Sequence, residues 1–132
     1  MYLVDTSVWI DYLRGRETEV AKRFAEVLER GYAVGLTGPI YQEVVQGVSS
    51  EREFERVSEY LGSQTFYHPV DLVESYREAA RMYFDCRRAG VTIRSSMDCL
   101  IARVTIEHGL ALLHDDRDFE KMAEVIPDLA LA

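Results

Sequence analysis

Short unbroken runs of apolar residues alternate along this chain with longer stretches in which apolar residues recur at helical spacing. The short runs cover residues 2–4, 33–36 and 110–113. A short run without polar interruption is typical of a strand that is buried on both faces, as in a parallel sheet. The pattern therefore predicts three short strands of this kind, and residues 65–67 could form a further short strand.

The stretches between these runs have the apolar periodicity of helices. Thr6 or Ser7 can cap the first helix, Pro39 suits a helix entry, and Gly15 and Gly31 can end the helices before them. The predicted helices cover residues 6–13, 17–30, about 39–48, 51–61, 71–88 and 95–108, and a last helix begins near residue 118.

Two segments are less regular. Residues 91–93 predict a brief extended piece, and residues 125–131 could supply a final strand, which Pro127 confines to an edge or to the part after the proline. Strands separated by helices predict a mostly parallel α/β sheet of about four to five strands with helices on both faces. The 132 residues, 48% of them hydrophobic, are enough for one core, so we expect a single domain over residues 1–132.

Four acidic side chains fall where such a fold places its functional sites. Asp5 and Asp116 follow the ends of two predicted strands, while Glu43 lies one turn into a predicted helix and Asp98 lies in the first turn of another. Carboxylates that converge there would repel each other by about 4 kcal/mol per close pair at an effective dielectric of 20. Mg²⁺, which prefers hard oxygen ligands, would offset that repulsion.

Each acid also has a purely structural explanation, which spacing alone leaves open. Asp5 could accept backbone hydrogen bonds at a turn, and Asp98 could form a capping box with Ser95. Asp116 could cap the last helix, alone or together with Asp115 and Asp118. Glu43 is harder to explain in this way, because it lies at the border of an apolar stripe rather than on the opposite face.

The overall charge limits the possible partners. A formal net charge of −8 argues against passive nucleic-acid binding unless local basic patches or bound cations compensate. Arginines at loops and helix ends could form such a patch, although basic residues are also common at helix C-termini: Arg14, Arg16, Arg87, Arg88 and Arg94. The N-terminus shows no secretion signal, and we expect no membrane span. Cys86 and Cys99 predict two reduced, buried thiols of a cytoplasmic protein.

The sequence around the four acids resembles a known family. Residues 3–7 (LVDTS), 40–47 (IYQEVVQG), 96–102 (SMDCLIA) and 113–119 (LHDDRDF) are similar, in order, to the four acidic motifs of PIN domains. The short single-domain form resembles the VapC-type toxins of toxin–antitoxin pairs. This resemblance implies a PIN-like three-layer α/β/α fold, endoribonuclease activity with Mg²⁺ or Mn²⁺, a homodimer, and inhibition by a small VapB-like antitoxin.

The resemblance also implies roles for individual residues. Thr6 or Ser7 would orient Asp5 or a metal-bound water, and Asp118 would assist. His114 stands where the family would lead us to expect a threonine or serine, and a packed histidine is the usual outcome there. The implied catalytic residues are Asp5, Glu43, Asp98 and Asp116, the implied metal ligands are Asp5, Asp98 and Asp116, and the proposed RNA contacts are Arg14, Arg16 and Arg94.

Other readings are weaker. A phosphatase of the haloacid dehalogenase type needs a second aspartate where this chain has Ser7, and a receiver module needs a mid-chain phosphoacceptor and a lysine that Lys121 does not supply. A catalytically inactive PIN-fold binding module remains the non-enzymatic alternative. Aromatic residues could stack bases or fill a dimer seam, but packing is their commoner role: Trp9, Tyr12, Tyr41 and Tyr60.

Overall fold

The computed structural model describes residues 1–132, which form four strands and seven helices. The strands are β1 (Tyr2–Val4), β2 (Val34–Leu36), β3 (Thr65–Phe66) and β4 (Ala111–Leu113). The helices are α1 (Thr6–Leu13), α2 (Glu19–Glu29), α3 (Gly38–Gln46), α4 (Glu51–Gly62), α5 (Glu74–Arg88), α6 (Ser96–Glu107) and α7 (Arg117–Val125).

The sheet is parallel throughout, with the strand order β3-β2-β1-β4. β1 lies between β2 and β4, and its residues Leu3 and Val4 are fully buried. Parallel neighbours need crossover connections, which the helices provide. The result is the predicted three-layer α/β/α fold, in which α1 packs on α2 and α3 while α5 packs on α6 and α7.

The core is one cluster of 26 buried residues. Most of the aromatic side chains that were considered for base stacking lie in this core or pack against it. Trp9 is fully buried, edge-on to Phe24 with ring centroids 4.9 Å apart. Tyr12 packs on the other side of Phe24 at 4.9 Å, and Tyr41 packs on Phe66 at 5.5 Å. These rings are therefore structural rather than platforms for bases.

Two helices begin later than predicted because side chains hydrogen-bond to the backbone at their starts. The hydroxyl of Thr18 accepts a hydrogen bond from the backbone N–H of Ala21, so α2 begins at Glu19 instead of residue 17. The Oδ1 of Asp71 accepts from the backbone N–H groups of Val73 and Glu74 and holds residues 71–73 in a turn, so α5 begins at Glu74. Local hydrogen bonding of these side chains decides both boundaries.

The two irregular segments form less secondary structure than predicted. Residues 91–93 belong to the loop between α5 and α6 and pair with no strand. The C-terminal strand is reduced to a single parallel bridge between Leu131 and Leu112, because the segment before it turns at Pro127 and Asp128. No helix combines the length and the apolar character that crossing a bilayer requires.

Candidate active site

The carboxyl ends of three neighbouring strands bring distant parts of the chain to one edge of the sheet. β1 ends at Val4, β2 at Leu36 and β4 at Leu113. The backbone N–H of Asp5 donates to the carbonyl of Leu113 at 3.0 Å, which fixes Asp5 beside the end of β4. The helices that follow these strands begin here, so their first turns face the same edge.

A cleft of about 440 Å³ opens at this edge and is lined almost entirely by polar side chains. It contains all four predicted acids, the predicted supporting residues and one arginine. The lining residues are Asp5, Thr6, Ser7, Ile10, Glu43, Arg94, Ser95, Asp98, Asp115, Asp116 and Asp118. Six carboxylates therefore share one cleft with a single cation.

Asp5 is buried in this cleft, with 8% of its surface exposed. Burial, together with the charges of Asp98, Glu43 and Asp116, raises its pKa to about 7, while the backbone N–H of Thr6 acts in the opposite direction. Although Asp5 is the N-cap residue of α1, its side chain makes no capping hydrogen bond. Helix capping therefore does not explain this aspartate.

Asp98 lies in the first turn of α6, and its carboxylate is not used for capping either. The N-cap residue Ser95 makes no side-chain capping hydrogen bond, so the capping box that the spacing allowed is not formed. Burial, together with the charges of Asp116 and Glu43, raises the pKa of Asp98 to about 6. Burial and the neighbouring acids thus destabilise the charged form of Asp98, and no capping box offsets that cost.

Glu43 and Thr6 are joined across the cleft. The hydroxyl of Thr6, at the start of α1, donates to Oε2 of Glu43 on α3 at 2.9 Å. Thr6 was expected to orient Asp5 or a metal-bound water; in this structure its partner is Glu43. Ser7, the alternative candidate for that role, has a buried hydroxyl with no hydrogen-bond partner.

Asp116 and Asp118 at the start of α7 are tied to each other and to Arg94. Oδ1 of Asp116 accepts from the backbone N–H of Asp118 at 2.9 Å, so Asp116 does cap the last helix. Nη2 of Arg94 donates to the same Oδ1 at 2.9 Å, and Nε of Arg94 donates to Oδ2 of Asp118 at 3.0 Å. The backbone N–H and the guanidinium of Arg94 hold the pKa of Asp118 below its usual value.

The donor set in this cleft suits a hard divalent cation. One carboxylate oxygen from each of Asp98, Asp116 and Asp118 lies within 4.8 Å of the others. Carboxylate oxygens are the protein ligands that Mg²⁺ and Mn²⁺ prefer. The predicted metal ligands were Asp5, Asp98 and Asp116, whereas this group contains Asp118 instead of Asp5. Asp5 lies next to the group, and the charge of Asp98 acts on its carboxylate. In the sequence, the feature that pointed to Asp118 as a further acid of the site was its position two residues after Asp116.

Two of the proposed RNA contacts lie outside the cleft. Arg14 lines a larger cavity of about 580 Å³ that α1, α3 and α4 enclose. Arg16 pairs with Asp11 at 3.2 Å. None of the acids that line the cleft lies on α1 after its first turn, so the C-terminal end of that helix, with Arg14 and Arg16, is not part of the cleft rim.

His114 is a packed histidine rather than a base. Its Nδ1 accepts a hydrogen bond from the backbone N–H of Asp116 at 3.1 Å, and its ring packs edge-on against Phe119. Burial lowers its pKa, which keeps the ring neutral and able to accept that bond. The ring thus helps to shape the turn that presents Asp116.

Fold and cleft together define an α/β protein with an acidic centre at the carboxyl edge of a parallel sheet. The PIN domain family model matches residues 2–125, and the chain belongs to that family. The VapC ribonuclease Mb1587 of Mycobacterium bovis is 32% identical over 126 residues, which are 95% of this chain and 93% of that protein. Ribonuclease VapC4 of Mycobacterium tuberculosis is 32% identical over 123 residues, covering 93% of this chain and 92% of that protein.

Solved structures share the fold at lower sequence identity. A chain of the VapBC2 complex of Rickettsia felis, bound to a DNA fragment from its promoter, matches with a TM-score of 0.72 and 14% identity over 99% of this chain and 96% of that one. A chain of VapBC-1 from nontypeable Haemophilus influenzae matches with a TM-score of 0.72 and 19% identity, over the same shares of the two chains. These similarities establish the fold.

Proposed function

We propose that this protein is a metal-dependent endoribonuclease that hydrolyses RNA phosphodiester bonds. The observation that carries the proposal is the gathering of six carboxylates in one cleft, where burial and the neighbouring negative charges raise the pKa of Asp5 to about 7 and that of Asp98 to about 6. A protein gains no stability from such crowding, so a cationic ligand has to account for it. Relatives that are similar over nearly the whole chain are named ribonucleases.

Mg²⁺ or Mn²⁺ would be held by Asp98 and Asp116, with Asp118 and Asp5 beside them. A divalent cation supplies charge stabilisation at the phosphate under attack and helps to generate the nucleophile. Because Asp5 is buried among like charges, its deprotonation and the binding of a cation favour each other. The carboxylates of the cleft therefore become fully deprotonated at neutral pH only when a bound cation offsets their charge.

The remaining polar groups position the reaction. Thr6 holds the exposed carboxylate of Glu43 toward the cleft, where it can accept a proton or complete the cation's ligand set. Arg94 has 73% of its side chain exposed, so its guanidinium can reach a phosphate oxygen of the substrate. We therefore assign catalytic roles to Asp5, Glu43, Asp98 and Asp116, and phosphate contact to Arg94.

The test is cleavage of a labelled RNA pool by the purified protein with Mg²⁺, with Mn²⁺ and with EDTA. We expect cutting that needs metal and that the isosteric variant Asp98→Asn loses. Asp115→Asn is the matched control, because it removes a carboxylate from the same cleft at an exposed position. If folded wild-type protein, free of any bound inhibitor, cuts no RNA under these conditions, the PIN-fold binding module becomes the better interpretation.

We further propose that the protein is the toxin of a toxin–antitoxin pair. Its fold matches chains of VapBC complexes over almost their full length, and relatives are named VapC. Expression of the wild type should arrest growth of a bacterial host, whereas Asp98→Asn should not. A cognate VapB-like antitoxin, when co-expressed, should restore growth and co-purify with both forms. Growth arrest by Asp98→Asn would contradict a toxic nuclease.

A second copy of the chain is the partner that we propose for an apolar surface at the start of α5. Val70, Leu72 and Val73 expose 70%, 80% and 76% of their surface, and the half-exposed Tyr76 lies one turn further on. An exposed apolar patch of this kind marks an interface, and two copies can bury it symmetrically. Light scattering should show a dimer that Leu72→Asp converts to a monomer.

A further inference from the structure

The other end of α5 carries a cluster of arginine and aromatic side chains that the proposed chemistry does not use. We call it the α5 patch, and it consists of Arg81, Tyr83, Phe84, Arg87 and Arg88. The guanidinium carbons of Arg81, Arg88 and Arg87 lie 5.4, 5.6 and 6.0 Å from the ring centre of Phe84, and Arg87 lies 5.9 Å from that of Tyr83. All cation–π contacts of the structure are in this patch.

Two of the three arginines of the patch, Arg87 and Arg88, are not neutralised within the protein. Arg77 and Arg81, in the earlier turns of α5, pair with acids of the same helix, but Arg87 and Arg88 form no ion pair and no hydrogen bond. The helix dipole would account for basic residues in this last turn. It does not account for Phe84, an apolar ring with 38% of its surface exposed and three guanidinium groups around it.

The patch lies at the same end of the helix pair as the acidic cleft. Ser75 at the start of α5 donates to both carboxylate oxygens of Glu107 at the end of α6, at 3.0 and 2.7 Å, so the two helices are antiparallel. The last turn of α5 is therefore beside the first turn of α6, where Asp98 lies. The linker from Arg88 to Arg94, which enters the cleft, spans about 20 Å at most.

A groove lies between the first turn of α6 and Tyr83 of the α5 patch. It has a volume of about 350 Å³ and runs between α5 and α6. Tyr83, which contacts Arg87, lines the groove on one side, and Ser96 and Met97 line it on the other. Met97 directly precedes Asp98, so the groove begins next to the cleft, and none of its lining residues is acidic.

We propose that the α5 patch binds the single-stranded RNA that extends out of the cleft, with a base stacked on Phe84 and phosphates on Arg87 and Arg88. This inference rests on the proposed ribonuclease function. Bases stack on aromatic rings whatever their sequence, and guanidinium groups bind phosphate in a bidentate way while stacking on the same rings. In a chain with a net charge of −8, such a local surface is what RNA binding requires.

The test measures RNA binding separately from cleavage. Fluorescence anisotropy is recorded with a labelled, unstructured oligouridylate of about 12 nucleotides, in the Asp98→Asn background so that the probe stays intact. The logarithm of the binding constant falls linearly with the logarithm of the salt concentration. Adding Arg87→Gln and Arg88→Gln should make this slope less steep, by about 0.7 per arginine. Adding Phe84→Ala should weaken binding about fivefold or more, and Phe84→Tyr should preserve it, because the ring remains.

A matched pair of charge changes serves as the control. Lys22→Gln with Arg23→Gln removes two adjacent exposed cations from α2, which contributes no residue to the cleft, and should leave both affinity and salt slope unchanged. Each variant is compared by thermal melting and light scattering.

The outcomes separate this inference from the proposed function. If wild type cuts RNA but the α5 patch variants bind the probe like their parent, the inference is wrong and the ribonuclease assignment stands. If the patch variants become monomeric, the patch belongs to an interface between copies of the chain, and the inference is again wrong. If wild type neither cuts nor binds RNA, both proposals fall.

Discussion

Arg94 holds Asp118 through two separate donors. Its backbone N–H and its side-chain Nε both donate to the same carboxylate oxygen, Oδ2, and each distance is 3.0 Å. Asp118 is only 4% exposed, so this pairing anchors the loop before α6 to the start of α7. The guanidinium also reaches Asp116, which makes Arg94 the one internal cation that offsets the acidic cleft.

We expect Arg94→Ala to lower thermal stability mainly when no divalent cation is present. Arg94 lowers the pKa of Asp118, so its contribution to stability is present above the unfolded pKa of about 3.9 and is lost as the pH falls through the lower folded value. The difference in melting temperature between wild type and variant should thus be greatest near pH 7 in EDTA and should decrease as the pH falls below about 3.9.

Mg²⁺ should then compensate for the missing guanidinium. The rise in melting temperature on adding Mg²⁺ should be larger for Arg94→Ala than for wild type, and Arg94→Lys should fall between the two because a lysine keeps the charge but not the fork of donors. Equal Mg²⁺-induced rises in all three proteins would show that Arg94 and the cation do not share the same carboxylates.

Asp5→Asn should stabilise the metal-free protein at neutral pH. The pKa of Asp5 is raised to about 7 in the folded state, above an unfolded value of about 3.9. The folded state therefore binds the extra proton between about pH 4 and pH 7, and wild type loses stability as the pH rises through that window, by on the order of 4 kcal/mol at most. An asparagine has no charge to bury.

Denaturant unfolding in EDTA at several pH values measures this effect. Wild type should become less stable from pH 4 to pH 8, whereas Asp5→Asn should show a flatter profile and a smaller response to Mg²⁺. Asp115→Asn, an exposed change in the same cleft, should follow the wild type. A wild-type profile that rises toward pH 8 would contradict the burial of an unfavourable charge at Asp5.

The sequence was sufficient for the fold because local signals and burial agree. β1, β2 and β4 are short and mostly buried, so they appear as unbroken apolar runs, whereas the edge strand β3 is more exposed. Gly31 and Gly109, which have positive φ angles of 73° and 63°, end the helices before β2 and β4. The predicted α/β/α fold is confirmed. Errors arose where one hydroxyl or carboxylate decides a helix start, as with Thr18 and Asp71.

The contacts inside the cleft could be predicted only in part. The topology rule places the ends of parallel strands together, which is enough to bring Asp5 and Asp116 to one edge. It does not reveal that Thr6 pairs with Glu43, 37 positions away, or that Arg94 pairs with Asp118, 24 positions away. Those pairs depend on the path of the loop after α5 and on rotamers, neither of which leaves a periodic signal.

Thr6→Val should lower the cleavage rate with little effect on RNA affinity. The valine keeps the shape of the side chain but removes the hydroxyl that donates to Glu43 at 2.9 Å. A hydrogen bond to a charged group contributes about 1.5 kcal/mol or more, so losing the orientation of Glu43 should reduce kcat roughly tenfold. Thr6→Ser keeps the donor and should retain most of the activity.

Steady-state kinetics on a labelled RNA would distinguish a positioning role from a structural one. The expected result is a lower kcat for Thr6→Val with KM and melting temperature close to wild type. If Thr6→Ser is as impaired as Thr6→Val, retaining the hydroxyl does not retain activity, and loss of the hydrogen bond to Glu43 does not explain the effect.

Gly35→Ala tests the packing of the sheet beneath the cleft. A Cβ on Gly35 of β2 would lie 2.6 Å from the carbonyl oxygen of Thr65 and 2.5 Å from Cε2 of Tyr67. Since one of these is backbone of the neighbouring strand, β2 and β3 cannot both stay in register, and overpacking of this kind typically costs about 1 to 3 kcal/mol. Gly38→Ala, where nothing lies within 4 Å of the added atom, is the control.

Gly35→Ala should also affect the candidate active site, because β2 leads directly into α3. The end of β2 positions Thr37, whose hydroxyl accepts from the backbone N–H of Ile40 and begins α3, the helix that carries Glu43. Gly35→Ala should therefore lower the midpoint of urea unfolding and also reduce cleavage by displacing α3, whereas Gly38→Ala should leave both unchanged. If Gly35→Ala unfolds at the wild-type urea concentration, the close approach of β2 and β3 is not a constraint on this fold.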